Sequence, residues 1–183
     1  MAALIKDVLN YSSLANHKND ATFTDVDLNE ILENVKTDFE LEIEQKKAVI
    51  NADGLPAIKG ILFQINQLFS NLISNALKFS ERSPVIMIVA RSLSKEDASK
   101  YPELNSENNY VELTFTDNGI GFDQKHADQI FTIFHRLHGK DTFSGTGIGL
   151  SLCKKIVQNH NGIIQAEGVE KKGATFTIIL PGN

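Results

Sequence analysis

Ile61-Leu62-Phe63-Gln64-Ile65-Asn66-Gln67-Leu68-Phe69-Ser70-Asn71-Leu72-Ile73-Ser74-Asn75-Ala76-Leu77-Lys78-Phe79 is the stretch whose reading decides this chain. Its apolar residues cover most of a helical circumference, which predicts a largely buried helix from about Gly60 to Ser80. Gln64, Gln67, Asn71, Asn75 and Lys78 form a narrow polar stripe along it, with Asn71, Asn75 and Lys78 at i, i+4 and i+7. Buried amides and a buried ammonium cost free energy unless something pairs with them. The stripe therefore faces an internal polar network or a ligand. Two carboxamides beside one cation suit an anionic, metal-bearing ligand better than a core.

Upstream of the stripe, Leu4, Ile5, Val8, Leu9 and Leu14 recur at helical spacing, and Asn16 to Thr24 is polar and reads as a linker. Asp27-Leu28-Asn29-Glu30 has a capping-box arrangement that opens a helix carrying Leu28, Ile31, Leu32, Val35, Phe39 and Ile43. Ala48 to Ala52 predicts a strand, and Asp53-Gly54-Leu55-Pro56 a turn. Downstream, Pro84 to Leu93 and Asn109 to Thr116 predict strands joined by a long polar connection, Ser94 to Asn108. An irregular stretch ends at Gly147, a helix runs to about His160, and Ile163 to Val169 and Ala174 to Leu180 are closing strands. The expected product is a two-layer α/β sandwich of the α+β class.

With 183 residues and 42% hydrophobic content, the chain can bury one sizeable core. A net charge of −5 argues against a general nucleic-acid binder but leaves room for an anionic small ligand held by local cations and helix termini. A single cysteine, Cys153, removes disulfide scaffolds and zinc ribbons from consideration and fits a reducing compartment, so a cytoplasmic setting is expected. No apolar run reaches the length of a membrane span and no signal peptide is visible, although the parent protein could be membrane-anchored.

Asp117-Asn118-Gly119-Ile120-Gly121 follows a strand directly. A carboxylate at a strand end beside glycines can accept a hydrogen bond from an exocyclic amine such as adenine's, while the plain alternative is a hairpin turn. Gly145-Thr146-Gly147-Ile148-Gly149-Leu150 opens a helix and can bring backbone N–H groups against phosphate oxygens; it matches neither a dinucleotide fingerprint nor a Walker A loop. Ile130-Phe131 and Phe134 form an aromatic patch followed by His135, Arg136, His138 and Lys140, a hydrophobic anchor or a lid whose cations reach phosphates. His126, His135 and His138 lack a convincing fourth zinc ligand, and Asp25 to Lys36 fails as a calcium loop at its sixth and twelfth positions. Cys153 reads as a small core side chain.

Taken together, these segments resemble the ATP-binding catalytic domain of sensor histidine kinases, in the superfamily shared with gyrase, heat-shock chaperone and mismatch-repair ATPases. Asn71 to Phe79 resembles the N box, Asp117 to Gly121 the G1 box, Ile130 to Phe134 the F box, Gly145 to Leu150 the G2 box, and Gly173-Ala174-Thr175-Phe176 the last glycine motif. The resemblance runs from roughly Asp25 to Pro181. It implies a Bergerat-type fold, a mixed sheet covered on one face by helices, with ATP and Mg²⁺ as ligands. By that resemblance Asn75 ligates Mg²⁺, Asn71 and Lys78 contact phosphate oxygens, and Phe79 lines the ribose or adenine side. Asp117 accepts from the adenine amino group, with Gly119 in the same box, Gly121 allowing close approach and Thr175 supporting through its hydroxyl or a water. Gly145, Thr146, Gly147, Gly149 and Leu150 shape the lid and the phosphate-facing helix start, and Arg136 stabilises charge on the transferring phosphoryl group. Hydrolytic members of the superfamily carry Glu at the position of Asn71; an uncharged Asn cannot activate water, which favours transfer to a protein side chain.

Residues 1–20 resemble the end of a dimerisation hairpin, leaving 21–183 as the catalytic domain. The hairpin helix that would carry the phosphoacceptor His is not in this sequence, and His17 sits in a polar linker. The expectation is a kinase fragment, monomeric or weakly dimeric, that does not autophosphorylate alone. Its partners would be the parent's phosphoacceptor hairpin and, indirectly, a response regulator. The competing readings are a nucleotide-binding pseudo-kinase or interaction module and an anti-sigma-type protein-serine kinase.

Overall fold

Strand alternation builds the sheet. In β4 (Val85–Leu93) and β5 (Tyr110–Asp117), Ile86, Ile88, Leu113 and Phe115 turn inward, and the antiparallel register sets Ile88 opposite Phe115. β7 (Gly173–Pro181) runs antiparallel to β5 with Phe176 opposite Phe115, and β6 (Ile163–Val169) closes that side with Ala166 opposite Phe176. β2 (Val49–Ala52) joins β4 in parallel on the other side, giving a mixed five-stranded sheet ordered β2-β4-β5-β7-β6. These observations come from a computed structural model that describes residues 9, 12, 22–105, 107–137 and 145–182.

One face of the sheet is covered by α1 (Leu28–Asp38), α3 (Leu62–Lys78) and α5 (Gly149–Asn159), whose buried residues share a single core with it. Phe69 of α3 meets Phe115 edge-on, with ring centroids 5.0 Å apart. The opposite face leaves Val85, Met87 and Val89 exposed. The two-layer α+β architecture is therefore the expected one.

The local differences have physical causes. β1 (Thr24–Asp27) and β3 (Ala57–Gly60) form a separate antiparallel pair, with Val26 opposite Ile58. Each strand buries so few residues among polar ones that alternation gave no signal, and Asn16 to Thr24 was expected to be linker up to its last residue. The helix expected from Leu28 through Ile43 is two, α1 and α2 (Glu40–Lys46), broken at Phe39. Thr37 Oγ1 donates to the Glu33 carbonyl at 3.0 Å near that break, a back-bond that bends helices. The break lets Phe39 and Ile43 both pack against the core. Asp27 caps α1 by accepting the Asn29 N–H at 2.8 Å, and Asn29 rather than Glu30 ties the turn down through Leu55.

The connection from Ser94 to Asn108 holds α4 (Lys95–Ala98) and a small second cluster in which Leu93, Ala98, Leu104, Tyr110 and Ile179 are buried. On α3, Leu62 and Phe63 are exposed, so only the helix from Gln64 onward is buried as the sequence implied. The helix start lacks a side-chain cap. His160, completely buried at the end of α5, fills that role: its Nε2 accepts the Ile61 N–H at 3.0 Å while Nδ1 faces the Ile156 carbonyl at 2.8 Å. The clamp joins the start of α3 to the end of α5, and the opposite ends of both helices border the cavity described next. The expected remnant at 1–20, His17, His138 and Lys140 lie outside the described residues, apart from Leu9 and Ser12.

Candidate functional site

A cavity of about 410 Å³ opens between the C-terminal half of α3, the end of β5, the start of β7 and the beginning of α5, a size that suits a nucleotide-scale ligand. Asn71, Ser74, Asn75 and Lys78 line one wall, so the C-terminal part of the polar stripe faces this cavity, while Gln64 and Gln67 lie outside its lining and the buried Gln64 accepts from Asn159 Nδ2 at 3.4 Å. Ile120, Phe122, Ile130, Ala174 and Phe176 give it an apolar end.

Asp117 stands at that apolar end. Its Oδ1 accepts the Gly119 N–H at 2.8 Å and the Ala174 N–H at 3.3 Å. Burial pushes its pKa up from the ordinary aspartate value, and the two backbone donors pull against that shift. A desolvated carboxylate with a free oxygen edge in an apolar slot is an acceptor for an amino group on a flat ring. The surrounding backbone is drawn in tightly. Gly121 has φ +62, and a Cβ there would collide with the Val169 carbonyl oxygen.

The other end is cationic. Burial, and then the charge of Arg136, push the Lys78 pKa down. Lys78 Nζ lies 4.3 Å from the Phe79 ring centroid. Arg136 Nη1 donates to the Gly145 carbonyl at 2.7 Å, and Gly145 holds φ +147, a backbone state closed to most side chains. Phe134, at φ +63, donates its N–H to the Gly147 carbonyl at 3.0 Å, stitching the aromatic segment to the glycine segment. The N-cap of α5, Ile148, makes no side-chain capping bond. The first N–H groups of that helix are therefore available to an anion.

Of the residues singled out from sequence, Asn71, Asn75, Lys78, Phe79, Asp117, Gly121, Arg136, Gly145, Thr146, Gly147, Gly149 and Leu150 all border this cavity. Gly119 lies behind Asp117, where a Cβ would sit 2.7 Å from the Phe79 carbonyl oxygen. Thr175 stands apart: it alternates to the other face of β7, and its hydroxyl is 3.2 Å from that of Thr116. Ala174 takes the place beside Asp117. Sequence reasoning passed over Ser74, which the helical spacing from Asn71 could have found, and Phe122, and it quoted Ile120 and Phe176 only as members of their boxes without giving them a place in the slot. His135 lines the cavity, whereas His126 Nδ1 sits 3.0 Å from Gln129 Oε1. Among the described residues no cluster of three or more His, Cys, Asp or Glu could hold a metal, and no helix is long and apolar enough to cross a membrane.

Residues 60–183 match the family model described as histidine kinase-, DNA gyrase B-, and HSP90-like ATPase. The chain is 36% identical over 182 residues to the phytochrome-like protein Cph1 of Synechocystis, covering 99% of this chain and 22% of that protein. It is 39% identical over 184 residues to cyanobacterial phytochrome A of Nostoc, with the same two coverages of 99% and 22%. It thus spans about a fifth of the length of these curated relatives (22%). Among solved structures, full-length ShkA in complex with AMPPNP superposes with a TM-score of 0.77 at 21% identity, over 98% of this chain and 35% of that one. The nucleotide-free catalytic domain of the histidine kinase ThkA gives 0.67 at 26% identity, over 87% and 97%.

Proposed function

Because the chain belongs to the histidine kinase-, DNA gyrase B- and HSP90-like ATPase family, we propose that it binds Mg-ATP and presents the γ-phosphoryl group to a histidine on the dimerisation hairpin of its parent kinase. One observation carries the reading. A single cavity has a desolvated carboxylate, Asp117, in an apolar slot at one end, and Lys78, Arg136 and an uncapped helix N-terminus at the other. That polarity fits a molecule with a flat amino-bearing base and an anionic tail.

In this reading Asp117 accepts from the adenine amino group, with Ala174 rather than Thr175 beside it. Lys78 and the first turn of α5 hold phosphate oxygens, and Arg136 exchanges the Gly145 carbonyl for charge on the transferring group. Asn75, with Ser74 and Asn71 on the same wall, offers neutral oxygens that fit Mg²⁺, a hard cation that takes few protein ligands and completes its shell with waters and phosphate oxygens. A Mg²⁺ held by these oxygens would supply charge neutralisation for the phosphates. Asn71 carries no ionisable group to take a proton from water, so the site suits transfer over hydrolysis. The parent's phosphoacceptor hairpin and, through it, a response regulator are the proposed partners; a solved complex pairs ThkA with its response regulator TrrA. Titration calorimetry of the chain with ATP, with and without Mg²⁺, tests the site: saturable binding strengthened by Mg²⁺ is expected, and no binding of ATP would overturn it.

A further inference from the structure

Two buried polar atoms on α3 are left without partners. Gln67 Oε1 and Asn71 Nδ2 are both shut away from solvent, and neither has a hydrogen-bond partner of good geometry among the described residues, the weak contact of the Asn71 amide with the Cys153 thiol aside. They belong to residues at i and i+4, neighbours one turn apart on the same stripe. One is an acceptor and the other a donor. Buried groups of this kind are paired in folded proteins, directly or through an ordered water, and the i, i+4 spacing puts these two complementary groups on one helix face.

The rest of the Asn71 carboxamide is placed by its neighbours. Its Oδ1 lies on the cavity side, 3.6 Å from where a Cβ on Gly149 would sit, and Gly149 lines the cavity. Cys153 lies against the amide from α5, completely buried. Burial pushes the Cys153 thiol pKa up to about 12, so it meets the amide as a neutral group.

We propose that Gln67 is a positioning residue: its Oε1 accepts a hydrogen bond relayed from Asn71 Nδ2 through one buried water, and so holds the Asn71 carbonyl oxygen toward the cavity. The inference rests on the Mg-ATP reading and sharpens it. Asn71 then presents an acceptor to the phosphate region, which suits a bound cation and not, as the sequence resemblance implied, a phosphate oxygen. Gln67 touches neither nucleotide nor metal and acts only through Asn71.

The test uses the full chain and measures ATP affinity with Mg²⁺ and with a chelator, beside a urea unfolding curve. Gln67→Leu is expected to keep the fold and the metal-free affinity while the gain from Mg²⁺ falls about tenfold, the size typical of losing a group that orients a metal ligand. Gln67→Glu, which keeps an acceptor, is expected to retain most of that gain. In an Asn71→Asp background, which has no Nδ2, Gln67→Leu is expected to add nothing. Equal loss of both affinities, an unchanged Mg²⁺ gain in Gln67→Leu, or full additivity with Asn71→Asp would overturn the proposal. A wild-type chain whose ATP binding ignores Mg²⁺ would overturn instead the site reading on which it stands.

Discussion

Asp117 Oδ1 accepts the backbone N–H of Gly119 at 2.8 Å, and the Ala174 N–H falls on the same oxygen. Among the described residues no hydrogen bond falls on Oδ2, so one edge of the carboxylate is left for a ligand. Asp117→Asn replaces part of that edge with a donor, which would oppose an adenine amino group. The expected result is a roughly ten- to hundredfold loss of ATP affinity, with a smaller change for GTP. Acid should act in the same direction. Burial raises the Asp117 pKa above 3.8, so ATP affinity should begin to fall on acidification at a higher pH than an ordinary aspartate would give. Calorimetry across pH on wild type and Asp117→Asn checks both statements, and only the wild type should show the acid-dependent step.

The uncharged side chain at Asn71 predicts what a carboxylate there would do. Asn71→Glu places a proton acceptor on the cavity wall where water could be activated. ATP hydrolysis by the isolated chain is expected to rise while the urea midpoint changes little. A variant that still binds ATP with no gain in phosphate release would count against the role given to the uncharged Asn71 in favouring transfer over hydrolysis.

His160 makes the fold acid-sensitive. Burial lowers its pKa from 6.5, so the folded chain refuses a proton that the unfolded chain accepts. Stability contributed by this group is complete above about pH 6.5 and is lost as pH falls from there toward the folded pKa. His160→Gln should flatten that part of the stability–pH curve. It should also cost about 1–3 kcal/mol at neutral pH, because the Ile61 N–H loses a fixed acceptor. Urea unfolding of both proteins at pH 7.5 and 5.5 measures the difference in slope, since the remaining histidines contribute equally to each.

Gly121 tests the close packing of the loop after β5. Its φ is +62, and a Cβ would collide with the Val169 carbonyl oxygen and lie 2.6 Å from that of Gly173. Neither obstacle is a flexible side chain, so Gly121→Ala should destabilise the chain by about 3 kcal/mol or more. The neighbouring tie, Lys171 N–H to the Ile120 carbonyl at 2.6 Å, would be disturbed with it. A urea midpoint within error of wild type would show that the loop relaxes more easily than this geometry allows.

The sequence was most legible where chemistry and periodicity coincide. The α3 stripe announced a ligand because polar residues recur at helical spacing in a helix too apolar to be a surface one. The carboxylate and glycines after β5 were readable because the strand before them alternates cleanly and fixes where it ends. Thr175 was misplaced because strand residues alternate faces, and only the register with Thr116 shows which face it takes. The β1–β3 pair was invisible because its partners lie far apart in sequence and bury few side chains. The slot residues Ile120, Phe122 and Phe176 look like any core residues until the cavity they border is known. His160 offered no local pattern, since its partner Ile61 is distant in the chain and the contact exists only once α3 and α5 have packed.

The central claim is transfer of a phosphoryl group to a histidine in trans, and labelled ATP tests it most directly. The chain would be incubated with γ-labelled ATP, Mg²⁺ and the separately produced dimerisation hairpin of its parent, then resolved by electrophoresis after acid and after alkali. The account predicts an acid-labile, alkali-stable label on the hairpin, none on the chain alone, and loss of the label in Asn75→Ala and Asp117→Asn. An acid-stable label, or an unlabelled hairpin beside a chain that binds Mg-ATP normally, would contradict it.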